Sequence, residues 1–497
     1  MINKFKKRFL AFLTVAALCC AGTGCGEQTV VNEEDPAKVP ADPYEINWYM
    51  YGSTLNDVAS VEKEVNAYLK DKINATLKIN RMEASQYREK MSNMIQTGEY
   101  FDMCFISSGM LDFNVNAENG AFVAFDDLFG KYLPKTYKMF EPEILDCVRV
   151  DGKVYGLPVI KENAMAYGWV YRKDLADKYN IDMSKIKTFE ELEPALRIIK
   201  ENEPEIKYPI DWTVGNTPGG IINGFTTLAA NHLGYVKGDD TYTIVDKYEL
   251  PETLEGYKLS RKFYNDGLVK PDILTNNADY IQRLKNGQTF CSFIPLKPGK
   301  AAELFKNTNY EFDQSYVIEA YKTITAGTGS MAAISATSKN PVRVARFLEL
   351  LNTDEYLYNL IMFGIEGKHY NLIKDKVVEI IPDGGYTMAG SQWTLGNVYL
   401  SYTTVEENPD KNKLLKEFDD SADAHPLSGF KFVTTNVQPQ LAACQAIDKQ
   451  YEAQVCLGAL EPEPIVKKYL EELKIAGLDD IKAELQKQLN EFLKTKK

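Results

Sequence analysis

Two tryptophans stand in stretches of sequence that otherwise have the composition of loops. Trp212 lies in PIDWTVGNTPGG and Trp393 lies in GSQWTLGN, so polar residues and glycine surround both. A large aromatic side chain in such a loop either completes a small local core or offers a flat apolar face to a ligand. Both interpretations are open for each residue, and we take Trp212 and Trp393 as candidate ligand-binding residues.

Further candidates follow two short apolar stretches in the N-terminal part of the chain. Tyr51 ends EINWYMY and Ser53 comes just after it, while Ser107 and Ser108 follow FDMCFI. If these stretches are parallel strands, a ligand would bind beyond their carboxyl ends. Hydroxyl groups and glycine backbone at that edge could bind a polar ligand, although serine and glycine also serve ordinary turns.

The motifs expected of an enzyme or of a metal site are missing or incomplete. The chain has no G-x-S-x-G elbow and no phosphate-binding loop, and GTGSMA leads into strand-like AISA instead of a helix. The three histidines lie far apart, and Asp419, Asp420 and Asp423 lack the glycine and glutamate of a calcium loop. We therefore expect neither a cofactor nor a metal site, and the residues offer no recognisable catalytic motif.

The N-terminal residues have the pattern of an export signal. The basic stretch MINKFKKRF leads into the apolar run 9–18, which is broken only by Thr14. A run of this length is too short to span a bilayer, and together with its basic flank it predicts a secretory signal peptide.

The segment GTGC resembles the lipobox of bacterial lipoproteins. In that motif small residues precede a cysteine that is lipidated and becomes the new N-terminus, and Cys25 fits this position better than Cys19 or Cys20. The resemblance predicts a signal peptide over 1–24 and, because the following residues are polar and contain proline, a flexible tether over 25–44. An ordinary secreted protein with a free cysteine is the alternative.

Composition narrows the class of protein further. The chain has 497 residues and a net charge of −13, which becomes about −17 once the four basic residues of the signal are removed. Such a charge argues against nucleic acid as a partner. The length predicts two large lobes or about three domains. The five cysteines after Cys25 are odd in number and widely spaced, which favours buried thiols over disulfides.

The order of predicted elements indicates an α/β fold. Apolar strands at 45–51, 75–82 and 101–106 alternate with amphipathic helical stretches, which predicts a parallel sheet with crossover helices. The chain ends with two amphipathic helical patterns over 462–475 and 479–494. These helices do not alternate with strands and therefore predict an added C-terminal segment.

Several stretches together resemble one family. GEYFDMCFISSG, NGAFVAFDDL, DGKVYGLPV, SKNPVRVARFLELLNTDEYLYNLIMFGIEGKHY and AGLDDIKAELQKQLNEF are similar to extracellular solute-binding lipoproteins of ABC importers. The group is the large sugar-binding one (family 1), and the subgroup is the Gram-positive lipoproteins that carry a distinctive C-terminal helical segment. The resemblance covers nearly all of the mature chain.

The resemblance implies a periplasmic-binding-protein-like fold, in which two α/β lobes are joined by crossing strands and hold the ligand in the cleft between them. Glu162 and Asn163 then fall at the hinge, facing the cleft. The implied division is lobe 1 over 45–158 and 316–337, lobe 2 over 159–315 and 338–424, and a C-terminal segment over 425–497 that packs on lobe 2.

The implied function is capture of an oligosaccharide at the outer face of the cell membrane and its delivery to the permease of an ABC transporter. The protein is expected to be a lipid-anchored monomer. Two alternatives remain at this stage: the same scaffold binding another solute such as a peptide, or acting as a ligand sensor, and a secreted enzyme acting on glycosides.

Overall fold

Strands and helices alternate along most of the chain and are grouped around two principal sheets. The computed structural model describes residues 33–221, 224–239, 241–275, 280–305 and 308–496. The predicted signal peptide, the predicted lipidation site Cys25 and the first part of the predicted tether lie outside the described residues.

The strands are, in chain order, β1 (Tyr44–Tyr51), β2 (Ala75–Met82), β3 (Met103–Ile106), β4 (Arg149–Val150), β5 (Lys153–Val154), β6 (Leu157–Pro158), β7 (Ala164–Arg172), β8 (Ile210–Asp211), β9 (Phe225–Ala229), β10 (Leu233–Val236), β11 (Val245–Asp246), β12 (Cys291–Leu296), β13 (Phe312–Lys322), β14 (Met331–Ile334), β15 (Tyr370–Lys374), β16 (Val377–Ile380) and β17 (Thr403–Thr404).

The α-helices are α1 (Val58–Ile73), α2 (Ala84–Thr97), α3 (Phe113–Glu118), α4 (Asp126–Tyr132), α5 (Pro134–Tyr137), α6 (Pro142–Cys147), α7 (Lys173–Lys178), α8 (Phe189–Asn202), α9 (Pro251–Asn265), α10 (Tyr280–Lys285), α11 (Lys300–Phe305), α12 (Pro341–Thr353), α13 (Glu355–Phe363), α14 (Lys411–Asp420), α15 (Gln438–Cys456), α16 (Pro462–Ile475) and α17 (Leu478–Thr495). Within the described ranges, no helix is both long and apolar enough to cross a membrane.

Lobe 1 is built on a sheet with the strand order β2-β1-β3-β14-β6. The strands β1, β2 and β3 are parallel, as predicted from their alternation with helices, and β14 runs antiparallel to β3. Helix α1 buries Val61, Val65 and Leu69 against this sheet because residues four apart share one face of a helix. It ends at Asn74, whose left-handed backbone closes the last turn onto Lys70.

Lobe 2 contains a second sheet with the strand order β13-β7-β12-β8. Its long central strand β7 pairs antiparallel with both β12 and β13. One face of the sheet packs on α8 and α9 around Trp169 and Phe293, whose rings meet at 4.8 Å. The other face packs on α10, α11 and α14 around Val170 and Ile294.

The chain passes between the lobes in three segments, 159–163, 323–330 and 405–410, which we call the crossing segments. In lobe 1 the first two join the sheet at the edge where β3 and β6 end and β14 begins. In lobe 2 these two join the sheet at the edge where β7 begins and β12 and β13 end. The third leads from β17 of lobe 1 to α14, whose Asp419 accepts hydrogen bonds from the backbone at the start of β7. The cleft between the lobes therefore lies between these two sheet edges.

The division of the chain between the lobes differs from the sequence prediction in two places. Residues 316–322 belong to β13, which pairs along β7 in lobe 2 and not in lobe 1. Residues 338–404 were predicted for lobe 2, but α12 and α13 lie in the core of lobe 1, where Phe347 meets Trp48 at 5.6 Å. The reason is that both helices are almost wholly buried, and the sheet of lobe 1 supplies the apolar face that covers them.

The end of the predicted tether is also not free. Residues 33–43 run along lobe 1, where the carboxylate of Glu34 pairs with Arg343 at 2.7 Å and with Arg346 at 3.0 Å. Both guanidinium groups belong to α12 and are buried, and they also bind backbone carbonyl groups of this segment. A chain fixed in this way cannot act as a flexible linker, so the prediction of a tether up to residue 44 is wrong over its described part.

The C-terminal region, residues 425–496, forms a third core together with β9, β10, β11 and the start of α9. Its last two helices are α16 and α17, close to their predicted bounds, and Tyr469, Leu473 and Leu485 are fully buried in this core. These contacts lie between the C-terminal region and residues 228–257.

Candidate functional site

Three aromatic rings lie together at the edge of lobe 1 that faces the cleft. Tyr51 ends β1, Phe105 is in β3, and Trp393 belongs to a short 3-10 helix at 392–394. Each pair of ring centroids is separated by 5.7 Å. Phe105 is buried and Tyr51 is half-buried, whereas 39% of Trp393 is exposed. We call this cluster the aromatic platform.

Arg81 holds the loop that carries Trp393. It lies near the end of β2, and its Nη2 donates to the hydroxyl of Ser391 at 3.1 Å. Its guanidinium packs directly over Gly52, where a Cβ would stand 2.3 Å from Nη2 and would displace the Arg81 side chain, and the φ of +142° at Gly52 also favours glycine. Burial lowers the pKa of Arg81. Its Nε and Nη1 are buried without a hydrogen-bond partner among the described residues.

Of the predicted residues in lobe 1, the fold therefore brings Tyr51 and Trp393 into contact. Ser53 is exposed just beyond Tyr51. Ser107 is buried in a tight turn, and the backbone N–H of Ser108 donates to the carbonyl of Thr328 in the second crossing segment at 2.9 Å. The two serines thus serve the turn and the connection between the lobes, and the exposed Ser108 also stands at the edge of the cleft.

Glu162 and Asn163, which were predicted to face the cleft at the hinge, lie in the first crossing segment and are both engaged in protein contacts. Burial alone would raise the pKa of Glu162, but the positive charges of Lys297 and Lys161 lower it, and Lys297 Nζ donates to its carboxylate at 3.0 Å. The backbone N–H groups of Asn163 and Ala164 both donate to Asp419 Oδ1 of α14 at 2.7 Å. These contacts fix the crossing segment to lobe 2.

The prediction that Trp212 is a partly exposed ligand platform is wrong. Trp212 is fully buried, and its ring stacks on Phe263 of α9 with centroids 5.9 Å apart. It follows β8 directly, and its side chain enters the same core face as that of Ile210. Apart from Asp211, the polar and glycine residues that suggested a loop come after Trp212 in the sequence.

Sequence reasoning missed Phe105, Arg81 and Tyr399. Phe105 has the signature of an ordinary buried strand residue, and nothing local marks Arg81 as a neighbour of Trp393. Tyr399 lies beside the first crossing segment, where burial raises its pKa and its hydroxyl has no hydrogen-bond partner in the described part of the chain.

A cavity of about 370 Å³ is present elsewhere in lobe 1. It is lined by Phe101, at the start of β3, and by Ser335, at the end of β14. These residues mark the sheet edge opposite the aromatic platform, so the cavity is not part of the cleft.

Comparison with known proteins agrees with this architecture. Residues 52–357, more than half of the chain, match the family of bacterial extracellular solute-binding proteins. Residues 426–494 match a domain of unknown function, DUF3502.

The chain is 28% identical, over the full length of both proteins, to a carbohydrate ABC transporter substrate-binding protein of Streptococcus pneumoniae serotype 4. It is 27% identical to the N-glycan transport solute binding protein NgtS of Streptococcus pneumoniae, whose crystal structure it matches with a TM-score of 0.81 over 92% of this chain and 100% of that chain. For NgtS in complex with Man5GlcNAc, the identity is 28%, the coverage is the same and the TM-score is 0.67.

The two-lobed α/β fold, the cleft between facing sheet edges and the family match over residues 52–357 lead to one conclusion: the chain belongs to the bacterial extracellular solute-binding proteins.

Proposed function

We propose that this protein captures an oligosaccharide in the cleft between its lobes and delivers it to the permease of an ABC transporter. The observation that carries the proposal is the half-exposed Trp393 on the aromatic platform, at the cleft-facing edge of lobe 1. A sugar ring has apolar C–H faces and a polar rim, so an exposed indole plane can cover one face while polar side chains bind the hydroxyl groups.

The relatives support a sugar as the ligand. A carbohydrate-binding relative aligns over the whole chain, and NgtS in complex with Man5GlcNAc has the same fold. Two structures of NgtS give TM-scores of 0.81 and 0.67 against this protein. Different TM-scores against two structures of one protein are what lobes that move relative to each other would produce, so they support such movement.

A ligand that contacts both lobes would favour their closure, because only a difference in affinity between two states shifts their populations. The ligand would be released unchanged, so the proposal includes binding without turnover.

The experiment is titration of the chain from Gly26 to Lys497 with Man5GlcNAc and with a panel of other oligosaccharides, monitored by calorimetry and by tryptophan fluorescence. Trp48, Trp169 and Trp212 are buried, so quenching by acrylamide reports mainly on Trp393. We expect a binding glycan to protect Trp393 from acrylamide and to be recovered intact. Binding of peptides but no glycan, or hydrolysis of the bound glycan, would contradict the proposal.

We also propose that the protein is anchored to the outer face of the membrane through lipid on Cys25. The lipobox-like GTGC sequence supports this, and two acyl chains give stable anchoring where one is marginal. We expect Cys25→Ser to move the protein from the membrane fraction into the medium, whereas Cys20→Ser leaves it membrane-bound. An unmodified N-terminus at Gly26 or later, found by mass spectrometry as the main species, would refute the anchor.

A further inference from the structure

The C-terminal region is joined to lobe 2 by an extensive polar and apolar interface. Arg261 of α9 donates to the carbonyl of Ala459 at 2.8 Å, and Lys482 of α17 pairs with Glu249 at 2.9 Å. The shared core described above adds Tyr469 and its apolar neighbours. Lobe 2 and the C-terminal region therefore move as one body.

The same region also contacts lobe 1. Lys431 Nζ donates to Asn114 Oδ1 of α3 at 2.9 Å and to the backbone carbonyl of Arg149. Lys496 Nζ lies 3.8 Å from the carboxylate of Asp146 in α6. These contacts join the two bodies outside the three crossing segments.

The contact made by Lys431 can form and break at moderate cost. The ammonium group is partly buried, and burial lowers its pKa, while its hydrogen-bond acceptors on lobe 1 are neutral oxygens. A hydrogen bond weakens when its atoms separate by a few tenths of an ångström, so a rotation of one body against the other breaks it. The ammonium then returns to water, which offsets much of the loss.

The direct hydrogen bonds between lobe 1 and lobe 2 in the described part of the chain lie beside the crossing segments, as between Lys322 and Glu141 at 2.8 Å and between Asn412 and Ser401 at 2.7 Å. This is the pattern expected of lobes that are open. Trp393 keeps an exposed face at the edge of the cleft. The contact made by Lys431 therefore belongs to an open arrangement.

We propose that the C-terminal region holds the two lobes open through the contact of Lys431 with Asn114 and Arg149, and that closure on a ligand must break this contact. The role of closure rests on the proposed function, but the effect on the empty protein does not. Because apparent affinity scales with the population of the binding-competent state, the contact made by Lys431 lowers the affinity for ligand. Its removal should raise the affinity.

The variants remove the contact from either side. Lys431→Met keeps the length of the side chain and removes its donor, and Asn114→Ala removes the acceptor from an exposed position on lobe 1. Lys482→Met is the matched control, since its partner Glu249 lies on the lobe 2 side of the molecule. Melting temperatures identify any variant that is generally destabilised.

The first measurement needs no ligand. Glu64 on lobe 1 and Lys185 on lobe 2 are exposed and can be replaced by cysteine for spin labels, because the five cysteines of the described part are all buried. In the empty protein we expect Lys431→Met to change the distribution of distances between the labels and Lys482→Met to leave it unchanged. Identical distributions for Lys431→Met and the parent would overturn the proposal.

The second measurement is affinity for Man5GlcNAc, or for whichever glycan of the panel binds. We expect Lys431→Met to bind about tenfold more tightly and Asn114→Ala about threefold more tightly, with the double variant no tighter than Lys431→Met alone. Weaker binding by Lys431→Met would show that the contact favours the closed state and would refute the proposal. If no glycan binds, the proposed function fails. The distances between the spin labels in the empty protein still decide whether the contact made by Lys431 holds the lobes open.

Discussion

The replacement Trp393→Ala tests the aromatic platform most directly. About 39% of Trp393 is exposed. For a side chain of roughly 250 Å², this leaves on the order of 100 Å² that a ligand can cover. At about 25 cal/mol per Å², full coverage contributes at most about 2.5 kcal/mol. Since a stacked sugar covers one face of the indole, we expect a loss of about 2 kcal/mol, which is about 30-fold in Kd.

The assay is calorimetric titration of folded protein well below its melting temperature, with Trp212→Ala as the matched control. The chemical change is the same in both variants, but Trp212 is fully buried in the core of lobe 2. Its loss should cost about 3–5 kcal/mol of stability and leave the affinity within about twofold of the parent. Trp393→Ala should cost less stability, because its ring is already partly exposed.

Two outcomes would refute this reasoning. If Trp393→Ala binds the glycan within about threefold of the parent, the platform does not hold the ligand. If Trp212→Ala loses affinity to the same extent as Trp393→Ala, the loss reflects general damage to the fold.

Two further predictions concern stability. Burial alone would lower the pKa of His232, but the hydrogen bond of its Nδ1 with Asp246 at 2.9 Å and the nearby carboxylate of Asp448, 3.5 Å from Nε2, raise it to about 9. The paired imidazolium should therefore contribute up to about 3 kcal/mol to the free energy of unfolding below pH 6.5, and this contribution should be lost as the pH rises through 9. The difference in melting temperature between the parent and His232→Gln should therefore shrink from pH 6 to pH 10. A constant difference would contradict the assignment. Glu34→Ala leaves two buried guanidinium groups of α12 without their carboxylate and should cost about 2–3 kcal/mol, measured by thermal unfolding, whereas the exposed Glu33 should tolerate the same change.

Much of the local structure could be predicted from sequence. The parallel arrangement of β1, β2 and β3 followed from strands alternating with amphipathic helices, and the buried faces of α16 and α17 followed from apolar residues three and four positions apart. Both patterns arise because a residue's direction along a strand or helix depends on its near neighbours in the chain. The family was likewise identifiable from ordered motifs.

The residues that form the candidate site could not all be identified without the tertiary structure. The aromatic platform and Arg81 come from four segments, contributed by β1, β2, β3 and the loop after β16, and no local pattern states that these segments meet. Trp212 shows the reverse case, in which a loop-like neighbourhood concealed a core residue.

What the sequence determined by itself is the type and order of the elements and the kind of protein to which they belong. What only the tertiary structure decided is which lobe buries α12 and α13, where residues 33–43 are fixed, and which aromatic rings face the cleft. These three outcomes depend on complementary apolar faces and charged groups that lie hundreds of residues apart in the chain. Burial of an apolar face releases about the same free energy whichever apolar partner covers it. The partner is therefore selected by how well the two surfaces fit in the assembled fold.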